Sequence, residues 1–400
     1  MQITDIRMSQ GAMMIEERMD SLGHRADIVG GSVRDCLLGK TVSDFDMTTD
    51  ATPEEIKEIF SDLRIIETGI KHGTVTVIAE GEPIELTTYR IDGGYRDHRH
   101  PDEVEFTRSL EEDLCRRDFT VNAMAYNREY GLTDLFGGRE DLENRIIRAV
   151  GDPSRRFNED SLRILRALRF SSVLGFSVED GTADAIRDCR HLLSIPSRER
   201  VNTEWRKLIA GVNSYSVIKE FRNVIAEFIP AVEKCVLPNE EAWAAATPIA
   251  RTLSLFVGMD DPQNEYCRNM RELRFDTATV ELGKDVLAHY SDSKLETAEG
   301  MRTLLGSLTE KTLSIILDLR GLLDIGSRQQ RDILNTILNS NMPYRISHLD
   351  IDGRDLISMG ISGRTVGLTL ESLLSAVIRG ECNNERSELI SLASKINLKA

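Results

Sequence analysis

The spacing of apolar residues changes character partway along the chain. Residues 10–22 carry a helical pattern that leads into a short apolar strand, Ala26–Val29. Gly30-Gly31 interrupts that strand, and Val33–Leu38 reads as the start of a helix. Thr74–Ala79 (TVTVIA) and Glu85–Tyr89 (ELTTY) are enriched in β-branched residues and read as strands. Pro53 followed by Glu54 and Glu55 marks a helix N-terminus, where proline fits the first turn and carboxylates meet the positive dipole end. After Asp152-Pro153 the pattern becomes helical. Residues 158–176 place Leu162, Leu165, Leu168 and Phe170 at helical spacing with arginines between them. From there onward long helical patterns dominate and strand signals are absent, with Gly- or Pro-containing breaks near 194–197, 211–214, 237–239, 257–262 and 340–343. These patterns predict an α+β head followed by an all-α body and tail.

Composition narrows the class. Four hundred residues exceed one core and call for two to four domains. Hydrophobic residues make up 40 %, as in a globular protein, and the 6 % aromatic content leans towards helix. The net charge of −16 opposes phosphate binding in general, but binding follows the local field. Residues 311–400 hold 11 Lys/Arg against 10 Asp/Glu, net +1, which leaves −17 on residues 1–310. A nucleic acid would therefore follow local basic tracks. The six cysteines (Cys36, Cys115, Cys189, Cys235, Cys267 and Cys382) form no CxxC pair, so no zinc or redox motif is indicated. Asp5, Glu16 and Glu17 with no apolar stretch argue against a signal peptide, and no run of about 18 apolar residues suggests a membrane span. A reduced, cytoplasmic protein is the simplest reading.

Ser43-Asp44-Phe45-Asp46-Met47 alternates as a strand does. Residues two apart on a strand share a face, so Asp44 and Asp46 point the same way. Like charges on one face are unfavourable unless a cation lies between them, and Mg²⁺ prefers such oxygen ligands together with phosphates. A DxD alone is equally a pair of surface acids. Upstream lies Val29-Gly30-Gly31-Ser32-Val33-Arg34-Asp35. Two glycines between strand and helix let backbone approach a phosphate, and the helix start offers free N–H groups. Arg34 could fork onto that phosphate. Taken alone, the same residues make an ordinary strand–helix turn.

Glu159-Asp160-Ser161-Leu162-Arg163 is expected on a helix, with Asp160 and Arg163 on one face. A carboxylate accepts and a guanidinium donates hydrogen bonds. Cytosine and adenine both present an amino group beside a ring-nitrogen acceptor, so this pair could read either. Uracil and guanine present a carbonyl that Asp160 would repel. The alternative is a helical surface ion pair. Residues 155–170 hold five arginines against two acids, a basic track in an acidic chain.

Five ordered stretches together resemble the polymerase-β-type nucleotidyltransferases, specifically the class II CCA-adding enzymes and the related bacterial poly(A) polymerases. They are IVGGSVRDCLLGKTVSDFDMTTDATPEEI, TGIKHGTVTV, IELTTYRIDGGYRDHRHPDEVEF, EDLCRRDFTVNAMAY and GDPSRRFNEDSLRILRALRF, with LDIDGRDLISMGI matching more loosely. The resemblance is dense over residues 26–170. It implies a nucleotidyltransferase head (1–150), a helical neck that recognises the base (151–215), a helical body (216–310) and a tail that holds tRNA (311–400). The implied activity is template-independent addition of C, C and A to the tRNA 3′ end from CTP and ATP. Mg²⁺ would sit on Asp44 and Asp46, and pyrophosphate would leave.

Further roles also follow from the resemblance. Asp160 and Arg163 template the base. Arg166 and Arg169 lie near triphosphate and base, although Arg169 could be a solvated face residue. Arg117 contacts phosphate or ribose, and Asp118 and Asn122 shape the sugar pocket; a local helix cap is the alternative there. Glu85 is the candidate third carboxylate, able to deprotonate the 3′ hydroxyl, or else a strand-edge acid. Arg90–Pro101 reads as a mobile loop, which in the family serves the switch to adding A. His98 and His100 fit loop polarity better than a metal site, and His72 is assigned no chemical role. The tail, with Arg345, Arg354, Arg364, Arg379, Arg386, Lys395 and Lys399, would grip the tRNA elbow by shape, beyond the acceptor stem held at the active site. No HD-type phosphohydrolase motif follows. An A-adding enzyme or poly(A) polymerase shares these motifs, and a non-catalytic RNA-binding module is the reading from another class.

Overall fold

A computed structural model describes residues 6–42, 44–70, 73–93 and 104–397, without the side chains of Asp92 and Val104. The loop residues 94–103 with His98 and His100, and also Ser43, Lys71, His72 and Lys399, lie outside the described residues. The chain divides into two compact units, residues 1–230 and 231–400. No described helix is long and apolar enough to cross a membrane.

The first unit is built on a mixed sheet. Helix α1 (Gln10–Ser21), capped by the Ser9 hydroxyl, precedes strand β1 (Ala26–Val29). Helix α2 (Gly31–Leu37), strand β2 (Asp46–Thr49) and helix α3 (Pro53–Ile59) follow. Thr52 and Glu55 close a capping box at α3, worth about 1 kcal/mol, as the Pro-Glu-Glu signal suggested. Strands β3 (Arg64–Ile66), β4 (Thr74–Ala79) and β5 (Glu82–Thr88) come next. The short pair β6 (Arg90–Asp92) and β7 (Val104–Phe106) forms a separate ribbon. Helix α4 (Leu110–Cys115), strands β8 (Met124–Asn127) and β9 (Gly131–Asp134) and helix α5 (Gly138–Asn144) complete the head. The strand order is β3-β4-β5-β2-β1-β8-β9. Only the β2–β5 pair of this sheet is parallel. Strands β1 and β2 are adjacent in space because α2 and the loop after it return the chain antiparallel.

Several sequence boundaries move. Gly30 adopts φ 71°, a left-handed turn that lets α2 begin at Gly31 rather than Val33. Strand β5 begins at Glu82 rather than Glu85, because Glu80 and Gly81 both take positive φ and turn β4 tightly into it. The predicted helix over 158–176 is two helices, α6 (Pro153–Glu159) and α7 (Leu162–Leu174). Between them Asp160 is extended, with φ −132° and ψ 105°. A strand also survives past residue 152, since β10 (Ile146–Ile147) pairs in parallel with β11 (Ser177–Val178). Two residues are too few for a periodic signal. Helices α8 (Asp180–Asp188) and α9 (Arg198–Ala210) then pack beside α6 and α7, with Trp205 fully buried.

The regular elements described in the second unit are all helices, including Glu310–Leu322, Arg364–Ile378 and Arg386–Asn397. Its C-terminal part has a core of its own around Leu356, Leu373, Leu389 and Ala393. All six cysteines are free thiols.

Candidate active site

Phe45 and Met47 are buried while Asp44 and Asp46 are exposed, so the acids share a face as their alternation predicted. The regular strand starts only at Asp46, and Asp44 stands in the extended segment before it. What holds that segment is Ser32, which sequence reasoning passed over. Its hydroxyl donates to the Asp44 carbonyl at 3.1 Å and accepts from the Asp46 N–H at 3.2 Å. One side chain in the first turn of α2 thereby fixes the carboxylates to the glycine turn.

Parallel pairing sets Asp46 opposite Glu85. Desolvation by the surrounding cleft, then the Glu85 charge, push the Asp46 carboxyl up; Arg117 opposes this and Asp44 adds to it. The Asp46 side chain remains open to solvent, so its desolvation comes from crowding at its sides rather than full enclosure. Among the described residues no cluster of three or more His, Cys, Asp or Glu side chains is arranged to hold a metal. Neighbouring carboxylates such as Asp46, Glu85 and Asp44 are nonetheless a donor set that a hard divalent cation fits, because its charge relieves their repulsion.

The cleft, of about 220 Å³, is lined by the acids Asp46 and Glu85 and by a cationic wall of Arg90, Arg116 and Arg117. Buried Asp113 organises this cationic wall. It accepts from Arg116 Nε at 2.9 Å, Arg117 Nη2 at 3.1 Å and Thr48 Oγ1 at 3.2 Å. Burial alone would raise its carboxyl, but Arg117 and Arg116 outweigh burial and lower it. Arg117 also reaches the glycine turn: a Cβ on Gly30 would lie 3.1 Å from its Nη1. Gly30, Arg117, Asp46 and Glu85 are thus neighbours, although 87 and 39 positions separate the members of two of these pairs in sequence (Gly30/Arg117 and Asp46/Glu85).

Arg34 is placed differently from expectation. It is buried and forks onto Asp35, through Nε at 3.0 Å and Nη2 at 2.8 Å. Its Nη1 donates to Asn122 Oδ1 at 2.6 Å. Asn122 donates in turn to Asp118 Oδ1 at 3.1 Å, and Arg166 Nε donates to Asp118 Oδ2 at 2.8 Å. Burial opposes ionisation of Asp118, yet Arg166 and the Asn122 hydrogen bond bring its carboxyl down to about 2. Phe170 underlies this chain: Arg34, Arg166 and Arg169 lie 5.1, 5.4 and 3.6 Å from its ring centre. Arg169 is largely buried and sits 2.6 Å from Glu204, so it is not a solvated face residue. That ion pair is not aligned as a hydrogen bond, since both of its atoms lack a hydrogen-bonded partner.

The Asp160/Arg163 pair does not share a helix. Asp160 ends α6, and its Oδ1 accepts from the N–H of Leu162, the first residue of α7, at 3.0 Å. Its Oδ2 accepts from Arg200 Nη2 at 3.0 Å. Arg163 is buried and donates to Glu159 Oε2 at 2.8 Å and to the Arg116 carbonyl at 2.9 Å. That last bond ties the neck helix to the cleft wall. Arg200 and Glu159 are therefore partners of the expected pair that the sequence reading missed. Glu159 at least adjoined the motif, whereas Arg200 comes from α9 and had no local signal.

Residues 26–148 match the family described as "Poly A polymerase head domain". Residues 175–232 match "Probable RNA and SrmB- binding site of polymerase A". The chain is 36 % identical to the CCA-adding enzyme of Lactobacillus helveticus, over 93 % of this chain and 94 % of that one. It is 44 % identical to the CCA-adding enzyme of Leuconostoc mesenteroides over 58 % of this chain and 57 % of that one. Among solved structures, the Bacillus stearothermophilus CCA-adding enzyme in complex with CTP superposes with a TM-score of 0.76, 31 % identity and 98 % coverage of both chains. The Thermotoga maritima CCA-adding enzyme complexed with tRNA shares the fold, with a TM-score of 0.71 and 22 % identity over 96 % of this chain and 94 % of that one.

Proposed function

The chain belongs to the family of CCA-adding enzymes, and on that premise we propose how its own residues carry the reaction. The protein is a tRNA nucleotidyltransferase that adds C, C and A to the 3′ end of tRNA from CTP and ATP. In each cycle the 3′ oxygen bonds to the α-phosphorus, the bond to the bridging oxygen breaks, and pyrophosphate leaves. Catalysis of this kind is chiefly positioning and charge stabilisation.

Asp44 and Asp46 hold the divalent ion, Mg²⁺ in this reading, which when bound neutralises charge on the triphosphate. Glu85 receives the proton of the 3′ hydroxyl at its carboxylate. Gly30 and Gly31 let the triphosphate approach the backbone, and Arg117, beside Gly30, meets it there. Asn122, oriented by Asp118 and Arg34, lines the sugar site. Asp160, held by Arg200, and Arg163, held by Glu159, read the Watson–Crick edge of C or A. Arg166 and Arg169, stacked over Phe170, complete the basic side. Within the two units we assign residues 1–150 to the head, 151–215 to the neck, 216–310 to the body and 311–400 to a tail that contacts the tRNA elbow. A cytoplasmic location suits six free thiols and a tRNA substrate.

The observation that carries this reading is the register of Asp46 with Glu85 across a cleft walled by Arg116 and Arg117. Asp44→Ala and Asp46→Ala should each abolish incorporation of both CMP and AMP into tRNA, while the folded chain persists by circular dichroism. Near-normal turnover in either variant would overturn the metal-site assignment. Asp160→Ala should admit UMP and GMP; unchanged base selectivity would remove Asp160 from base reading.

A further inference from the structure

A second and larger cavity, of about 650 Å³, borders the same segment. Its walls include Arg7, Ser9, Cys36, Lys40, Thr41 and Phe45. Residues 39–42 run directly towards Asp44, and Phe45 is the buried residue between the two exposed acids. Alternation therefore assigns the cavity to the face opposite the carboxylates.

Its chemistry is unusual for a chain of net charge −16. None of the described residues lining it is a carboxylate. Arg7 and Lys40 form no ion pair with another described residue. Two cations lining one concavity bias its local potential towards positive, since Asp35, whose charge reaches Cys36 on the same wall, is already forked by Arg34. Ser9 accepts the Ala12 N–H and keeps its own hydrogen to donate, and Thr41 adds a second hydroxyl. Cys36 contributes no charge: burial, then Asp35, hold its thiol above the usual range, and it donates to the Arg7 carbonyl.

We propose that this cavity binds a phosphate group through Arg7 and Lys40, and that the phosphate comes from the backbone of the RNA substrate. The proposal rests on the catalytic reading above only in taking RNA as the substrate. Because the reacting triphosphate belongs to the carboxylate face, the phosphate bound here is not the one undergoing transfer. The backbone leading to the 3′ end is the remaining polyanion among the reactants. Arg7 and Lys40 thus position the strand and leave base choice untouched.

The test uses the full-length protein with tRNA lacking its CCA end. Arg7→Ala/Lys40→Ala is compared with Arg7→Lys/Lys40→Arg, which keeps both charges. We expect the alanine pair to weaken RNA binding about tenfold at low salt and to flatten the log–log salt dependence by about one to two. The KM for CTP should stay within twofold, and the charge-keeping pair should restore binding. If RNA affinity is unchanged but inorganic phosphate no longer raises the melting temperature of the alanine pair, the cavity binds phosphate from free solution instead. If neither RNA affinity nor phosphate protection differs from the parent, the proposal is overturned. Failure of the catalytic reading would appear separately, as absence of CMP incorporation by the parent protein.

Discussion

Asp118 shows how much one carboxylate can organise. It holds Asn122 on one oxygen and Arg166 on the other, and Asn122 holds Arg34. Its carboxyl titrates at about 2 in the folded chain, against about 3.9 for an unfolded aspartate. The depressed value stabilises the fold above about pH 4, and that stability is lost as pH falls towards 2. Asp118→Asn should remove this part of the acid sensitivity and cost about 3 kcal/mol at neutral pH, since Arg166 is left without its partner. Chemical denaturation from pH 2 to 7 measures both. Asp46 behaves in the opposite sense. Crowding, then Glu85, raise its carboxyl, and a proton there competes with a cation. Glu85→Gln should therefore move the acid limb of kcat/KM for CTP to lower pH while reducing kcat. An unmoved limb would separate Asp46 from the acid limb. Asp44 and Asp46 were legible in sequence because alternation is a local property. The raised Asp46 carboxyl was not, because its partner lies 39 positions away on another strand.

At the scale of elements, the break between α6 and α7 is the feature that periodicity concealed. Apolar spacing continues across Asp160 because both helices bury apolar residues within the same compact unit. Only the Asp160 bonds to the Leu162 N–H and to Arg200 reveal that the chain is extended there. Arg200→Ala should leave Asp160 unoriented, raising the KM for CTP and ATP and increasing misincorporation of UMP. Arg200→Lys should recover part of this, which a purely structural role would not require. A second element contact concerns the 3₁₀ turn Thr120–Asn122. Gly138 opens α5 directly against it, and a Cβ there would overlap the Thr120 carbonyl. Gly138→Ala should cost about 2 kcal/mol through this overpacking and displace Asn122. A lower melting temperature together with weaker CTP binding is the expected signature. The capping box at α3 needed no such context, since Thr52 and Glu55 are three residues apart.

For the whole molecule, charge and division into units decide how the partner is met. The acidic total predicts that RNA is held by a few local cation sites, so its affinity should fall steeply with salt while the KM for CTP changes less. The unit of residues 1–230 contains every residue assigned to catalysis and base reading. Expressed alone, it should bind CTP within a few-fold of the full chain and raise the KM for tRNA by more than tenfold; equal tRNA affinity would deny the tail its role. The sequence by itself determined the chemistry that short spacing can encode. It specified the paired acids of Asp44-Phe45-Asp46, the glycine turn before Arg34, the mixed head and the helical remainder. Each depends on residues within one or two turns of chain, where strand alternation, helical period and capping act. Tertiary structure alone decided which acids face which cations. It set Glu85 beside Asp46, brought Arg117 to Gly30, turned Arg34 inward to Asn122 and delivered Arg200 to Asp160. Those pairings depend on sheet order and helix packing, which no local period records.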